Sequence, residues 1–162
     1  MSSLLSSDIC EAVWEQIIQE KYNENLYLSI AAFLKNKGLD NLAKKFEGQA
    51  TEESSHAKMF IDFLTDMNAE VRLGGVPPID FPISTLGDIA FYYLQRETAT
   101  TKSIASLKEI AIDLSESVGE EFFRKMISLQ QHEYNEANVF SDKVSLIEGN
   151  WGMALLWDAA EK

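Results

Sequence analysis

Apolar residues recur every three or four positions along most of this chain, which is the spacing of one face of an α-helix. Asp8 and Glu11 are spaced like a capping box at the start of the first periodic segment, and Lys37-Gly38 ends it as a glycine C-cap does. The spacing predicts helix A over residues 8–36. Its apolar stripe comprises Ile9, Val13, Ile17, Tyr27, Ile30 and Leu34.

The second periodic segment begins at Asp40, which is a favoured N-cap residue, and it predicts helix B as far as about Met67. Residues 68–84 then contain Gly74-Gly75, all three prolines and no helical period. This stretch indicates one long crossover. A connection of that length allows the next helix, helix C, to run parallel to helix B.

Two further helices and a short terminal one complete the pattern. Thr85 with Asp88 predicts the start of helix C. Helix D follows a capping-box sequence at residues 117–120 and extends to about Ile147, and residues 151–160 are apolar enough for a fifth helix. The prediction is a single all-α domain over residues 1–162, a four-helix bundle at 8–147 with one long B–C crossover. The inner stripe predicted for helix D is Phe123, Ile127, Gln131, Tyr134 and Asn138.

The net charge of the chain limits the classes of molecule that it can bind. Its 162 residues carry 26 Asp and Glu against 14 Lys and Arg, a formal net charge of −12. This excess repels nucleic acid and anionic membranes and favours cations. Cys10 is the only cysteine, so no internal disulfide forms. The first residues lack the pattern of a signal peptide, and no apolar run reaches the roughly 20 residues that span a bilayer, so the cytoplasm is the expected compartment.

Each long helix carries a polar residue on its apolar stripe near mid-length. Glu53 and His56 are three residues apart, so their side chains share one helix face and can bind one metal ion together. Carboxylates on the other helices would complete a cage whose oxygen ligands suit iron or manganese better than copper or structural zinc. The inward residues are Glu20, Glu53, His56, Glu97 and Gln131.

These residues and their neighbours resemble the non-haem ferritins of the prokaryotic type, over nearly the whole chain. The resemblance implies a ferritin-like bundle in which Glu20, Glu53 and His56 hold one iron. It implies that Glu53 bridges to a second iron held with Glu97, with Gln131 nearby. Tyr27 would lie beside the two metals. The matching stretches are Glu20-Lys21-Tyr22, Tyr27-Leu28-Ser29, Glu52-Glu53-Ser54-Ser55-His56-Ala57, Glu97 and Gln131-His132-Glu133.

The resemblance also implies a function. Fe(II) and dioxygen would react at a diiron ferroxidase centre without haem, and Fe(III) would be stored as mineral inside a homo-oligomeric cage of about 24 subunits. The catalytic residues implied are Glu20, Glu53, His56, Glu97 and Tyr27.

The chain departs from related families at three places. Leu129 stands three residues before His132, so the last bundle helix lacks the second Glu-x-x-His of bacterioferritins and rubrerythrins. Glu52 and Glu133 match the third iron position of many prokaryotic ferritins, but Gln130 and Tyr134 stand where two glutamates are usual. In animal-type ferritins two acidic residues near the start of helix D line the channel through which cations enter. Glu121 matches the first of them, but Arg124 stands at the position of the second.

Other functional classes stay open at this point. A metal-storage shell without its own oxidation centre would need the same bundle and cage. A ferritin-like di-metal oxidase or peroxidase would use the same inward carboxylates without assembling. A helical interaction module would carry its acidic residues only for solubility, and would not bind stoichiometric Fe(II).

Overall fold

The computed structural model describes residues 2–162, and within that range it contains helices and no strand. The all-α prediction is confirmed, with every helix boundary within about two residues of the predicted one. The helices are α1 (Ser7–Asn36), α2 (Asp40–Asp66), α3 (Leu86–Asp113), α4 (Ser117–Leu146) and α5 (Trp151–Ala160).

The core consists of two hydrophobic clusters, one at each end of the bundle. The first joins the end of α1, the starts of α2 and α3 and the end of α4, where Phe46, Tyr93 and Phe140 meet edge to face. The second joins the opposite ends of the same four helices and includes Ile9 and Phe123. Because α2 and α3 start at the same end, they run parallel, as the long crossover predicted.

Local hydrogen bonds agree with the sequence at the start of α3 and correct it at the starts of α1 and α4. At α3 the Asp88 amide donates to Thr85 Oγ1 and the Thr85 amide donates to Asp88 Oδ2, each at 3.0 Å, so the predicted capping box is present. At α1 the cap is Ser6, whose hydroxyl accepts from the Ile9 amide at 3.3 Å. At α4 the N-cap is Glu116, without a side-chain cap, and its carboxylate instead accepts from the Ser6 amide at 2.8 Å.

The start of α2 is capped by another helix. The predicted cap Asp40 is wrong, because Leu39 holds the N-cap position and makes no side-chain cap bond. Asp158 of α5 replaces it: its Oδ1 accepts from the Leu42 amide at 2.8 Å, and its carbonyl accepts from Asn41 Nδ2 at 3.0 Å. The buried carboxylate of α5 therefore satisfies a free amide of α2 and holds α5 against the end of the bundle.

The outer face of α5 is apolar. Ala154 is buried, whereas Leu155 and Leu156 are 55% and 66% exposed. Trp157 packs on Phe140, with ring centroids 5.1 Å apart, so α5 covers the core with one side only. Within residues 2–162, no helix has both the length and the apolar character that crossing a membrane requires.

Candidate metal centre

A layer of buried polar side chains separates the two hydrophobic clusters. Glu20, Glu53 and Glu97 are fully buried, and His56 is 7% exposed. They come from α1, α2 and α3, and each lies on the inner stripe that the apolar spacing predicted. An apolar core on both sides leaves these carboxylates without bulk water, which makes a cation partner favourable.

The first group of ligand atoms is formed by Glu20, Glu53 and His56. One atom from each lies within 4.8 Å of the others. His56 Nδ1 is 3.9 Å from Glu20 Oε2, across the α1–α2 contact. The structure thus brings together the three residues that the resemblance to ferritins assigned to a first metal ion.

The second group is formed by Glu53, Glu97 and Glu133, again within 4.8 Å of one another. Glu53 belongs to both groups, so its carboxylate lies between two candidate metal positions. Glu133 was predicted for an outlying third position, but it is 2% exposed and sits in the second group instead. The cage therefore contains one more carboxylate than the sequence assigned to it.

The predicted inner stripe of α4 is wrong by about one residue. Gln131 is exposed, and Gln130 is 1% exposed and points into the cage. Adjacent apolar residues, Phe122 with Phe123 and Met126 with Ile127, fit two rotations of the helix about 100° apart, so their spacing did not decide between them. The observed inner stripe is Phe123, Met126, Gln130, Glu133, Ala137 and Phe140.

Gln130 takes the place predicted for Gln131. Its Nε2 donates to Glu97 Oε2 at 2.6 Å and to the Glu97 carbonyl at 3.3 Å. Tyr134 is half-buried and lies off the observed stripe. A sequence signal was present, because Gln130 and Glu133 are three residues apart and continue the spacing of Phe123 and Met126.

The residues predicted for a third iron are not gathered in one ligand group. Glu52 is exposed and is absent from both groups found among residues 2–162. It lies close enough to Glu133 to raise the pKa of that carboxyl. His132 is exposed, with Nε2 3.4 Å from Glu136 Oε1 on the next turn.

Tyr27 lies beside the cage, as the resemblance to ferritins implied. Its hydroxyl donates to Glu97 Oε1, and its ring packs edge to face on Tyr93 with centroids 5.3 Å apart. Burial raises the pKa of Tyr27 well above its ordinary value, and the nearby charge of Glu97 raises it further. The phenol therefore stays protonated at neutral pH and acts as a hydrogen-bond donor.

Glu53, Glu97 and Glu133 resist ionisation. Burial raises the pKa of Glu53 well above its usual range, and the charge of Glu20 adds to that effect. Burial also raises the pKa of Glu97 to about 7, although hydrogen bonds from Tyr27 and Gln130 oppose it. For Glu133, burial and the neighbouring Glu52 raise the pKa to about 10. Cations would reverse these shifts, because they favour the charged carboxylates.

Several buried polar atoms of the residues around the cage lack a hydrogen-bond partner among the described residues. Buried polar atoms are nearly always paired in folded proteins, so a cluster of unpaired acceptors requires an explanation. Carboxylate oxygens with a single imidazole are a donor set for iron or manganese. The residues therefore fit two such ions. The atoms are Glu20 Oε2, Glu53 Oε1, His56 Nδ1, Gln130 Oε1 and Glu133 Oε2.

Sequence reasoning also missed polar residues behind the cage. Gln16 and Asn23 are buried on α1, four residues before and three residues after Glu20, and Thr100 is buried on α3. Gln16 Nε2 donates to Glu20 Oε1 at 3.0 Å. The available signal was spacing: Gln16 and Asn23 share the helix face of Glu20 on α1, and Thr100 shares that of Glu97 on α3.

Comparisons with known proteins agree with this geometry. The sequence model of the ferritin-like domain matches residues 10–147. The chain is 31% identical to ferritin BfrB of Mycolicibacterium smegmatis over 82% of this chain and 73% of that protein. It is 30% identical to the bacterial non-heme ferritin of Campylobacter jejuni over 89% and 86% of the two chains. An open pore ferritin from Archaeoglobus fulgidus superposes with a TM-score of 0.93 at 25% identity, over 99% and 98% of the chains.

Proposed function

The chain belongs to the non-haem ferritins, an iron-storage family, and from that premise we propose that it oxidises the iron it stores. Two Fe(II) ions per subunit are the substrate, and dioxygen is the oxidant. One ion would be bound by Glu20, Glu53 and His56, and the other by Glu53, Glu97 and Glu133. We propose that residues 1–162 act as one functional unit, because both ligand groups draw on several helices.

The observation that carries this proposal is the position of Glu53. Its carboxylate is fully buried and belongs to both ligand groups. Its Oε1 has no hydrogen-bond partner among the described residues. A storage shell needs no such shared residue, whereas a reaction that takes one electron from each of two irons requires the irons to be held close together.

The electron balance agrees with two irons. Each Fe(II) gives one electron, and dioxygen accepts both together with two protons to form hydrogen peroxide. The carboxyls with raised pKa hold protons before the metals bind and release them when Fe(II) takes their place. Tyr27 and Gln130 hold Glu97 by hydrogen bonds from two sides, which keeps its oxygens oriented during the reaction.

We also propose that the subunits assemble into a closed cage of about 24 copies. The support is the apolar outer face of α5, where Met153, Leu155 and Leu156 are each about half exposed or more. A cluster of this kind on a short helix favours burial against other copies. An unassembled di-metal oxidase would expose it to water.

One pair of measurements tests the function. Native mass spectrometry gives the assembly state, and an oxygen electrode gives dioxygen consumed per Fe(II) added at two Fe(II) per subunit. The proposal expects a cage and one dioxygen for every two Fe(II). A monomer that still consumes dioxygen would indicate the unassembled oxidase, and a cage without Fe(II)-dependent oxygen uptake would indicate a storage shell alone.

A further inference from the structure

A series of hydrogen bonds connects the metal-binding carboxylates inside the bundle to the bundle surface between α1 and α3. Asn23, on α1, and Thr100, on α3, are fully buried in it. Asn23 Nδ2 donates to Thr100 Oγ1 at 2.9 Å and to Glu53 Oε2 at 3.4 Å. Arg96, one residue before Glu97, donates from Nε to Asn23 Oδ1 at 2.7 Å.

Arg96 determines which way the Asn23 amide points. A guanidinium has donors and no acceptor, so the Asn23 atom that it contacts is the carbonyl oxygen. The amide nitrogen must then face Thr100 and Glu53. The two bonds that link Arg96 through Asn23 to Glu53 both donate toward the carboxylate, and the positive charge of Arg96 at the outer end strengthens them.

The outer end of this series is itself held in place. The Arg96 guanidinium lies 5.1 Å from the centre of the Tyr22 ring, in a cation–π contact. Both residues line a surface pocket of about 290 Å³ next to Pro77 of the crossover. Arg96 is therefore only partly buried, and replacing it disturbs the core less than replacing Asn23.

The two oxygens of Glu53 differ in consequence. Oε2 accepts from Asn23, whereas Oε1 has no partner among residues 2–162. A carboxylate that must contact two ions needs a definite rotation about its last side-chain bond, and that bond rotates easily in a free glutamate. A donor on one oxygen restricts this rotation and leaves the other oxygen free for a ligand.

We propose that Asn23 and Arg96 are positioning residues that hold Glu53 in the orientation that spans both metal positions. The proposal rests on the proposed two-iron site and extends it to residues that touch no metal. Without Asn23, Glu53 would be free to rotate about its last side-chain bond, and the more affected ion would be the one held with Glu97 and Glu133, whose ligand group has no imidazole. Binding of the second ion is therefore the sensitive quantity, and binding of the first is the internal reference.

The test uses Co(II) as a probe, because it does not react with dioxygen at this type of site and its visible spectrum reports ligand number. The assembled full-length protein is titrated anaerobically by calorimetry and absorption. Asn23→Leu removes the donor to Glu53, and Arg96→Met removes the donor to Asn23. Arg96→Lys retains a cationic donor at the outer end. Matched controls are Asn25→Leu on the exposed face of α1 and Lys102→Met on the exposed face of α3.

Wild type and both controls should bind two Co(II) per subunit. Asn23→Leu and Arg96→Met should weaken the second Co(II) by about tenfold, the size of a lost hydrogen bond to a charged group, and leave the first unchanged. Arg96→Lys should recover most of the loss. A merely structural network would instead lower the melting temperature and leave the ratio of the two affinities unaltered.

The outcomes separate the two proposals. If wild type fails to bind two Co(II), the two-metal site is wrong, whatever the variants do. If wild type binds two and Arg96→Met binds both with wild-type affinities, the positioning role is wrong and the site stands. If Asn23→Leu does not fold, Arg96→Met and Arg96→Lys still decide the result.

Discussion

At the scale of single residues, Glu53 and Glu97 provide the sharpest comparison. Both are fully buried carboxylates, but only Glu53 belongs to both ligand groups. Glu53→Ala should abolish rapid Fe(II) oxidation, because it removes a ligand from each iron, whereas Glu97→Ala should leave a slower residual reaction. Stopped-flow absorbance at two Fe(II) per subunit measures both rates. A Glu53 variant with a near-wild-type rate would rule out the two-iron assignment.

Gln130 and Gln131 form a matched pair that tests the rotation of α4. Gln130→Leu removes a 2.6 Å hydrogen bond to Glu97, and bonds to charged groups contribute about 1.5–3 kcal/mol, so oxidation should slow by about tenfold or more. Gln131→Leu changes an exposed side chain and should have no such effect. The same stopped-flow assay compares them. Equal rates in the two variants would contradict a role for Gln130.

The raised pKa of Glu97 predicts a pH dependence of stability in the metal-free protein. With a pKa of about 7 in the folded state against 4.5 ordinarily, Glu97 holds a proton that the unfolded chain has already lost between these values. Its contribution to stability is therefore fully present below pH 4.5 and is lost as pH rises through 7. The Glu97→Gln variant has no ionisable group at this position, so this contribution to the pH dependence should be absent from it.

Urea unfolding of the metal-free protein at pH 5 and pH 7.5 measures this effect. The loss of unfolding free energy between the two pH values should be smaller in Glu97→Gln than in wild type. A matched change at an exposed acid, Asp62→Asn, should leave the wild-type loss unaltered. Identical losses in Glu97→Gln and wild type would show that Glu97 does not carry the dependence.

At the scale of the helices, the contact between α5 and the start of α2 is open to a direct test. Asp158→Ala removes the acceptor of the Leu42 amide, and the loss of such a cap costs about 1–2 kcal/mol. The variant should unfold at a lower temperature, and α5 should become more accessible to protease. Asp142→Ala, at an exposed position of α4, is the control. Equal protease resistance in the two variants would contradict the capping role.

At the scale of the whole molecule, removal of α5 should separate assembly from folding. The bundle core is formed by α1 to α4, with Ala154 as the only fully buried apolar residue that α5 adds among those described. Deleting residues 151–162 should therefore impair or destabilise the cage and leave a helical bundle. Circular dichroism measures the helix content, and native mass spectrometry measures the assembly. A stable cage without α5 would show that other surfaces suffice.

The sequence by itself determined the number of helices, their approximate ends and the long crossover. These features depend on local periodicity, caps and prolines, which are properties of neighbouring residues along the chain. It also placed Glu20, Glu53, His56 and Glu97 on the inner face, because these residues continue the three- and four-residue spacing of apolar neighbours on α1, α2 and α3. The capping box at Thr85 belongs to the same class, since both partners lie within one turn.

The tertiary structure alone decided the rotation of α4 and the cap of α2. Two apolar residues side by side, at 122–123 and at 126–127, allow two stripes. Phe63 contacts both Phe122 and Phe123, whereas only the rotation that buries Gln130 and Glu133 lets Gln130 bond to Glu97 on α3. Asp158 reaches Leu42 across 116 positions of the chain, which no local pattern can show. The Arg96–Asn23 contact spans 73 positions and is hidden for the same reason. Local spacing determines which residues can face a core, and only the packed neighbours determine which of them meet.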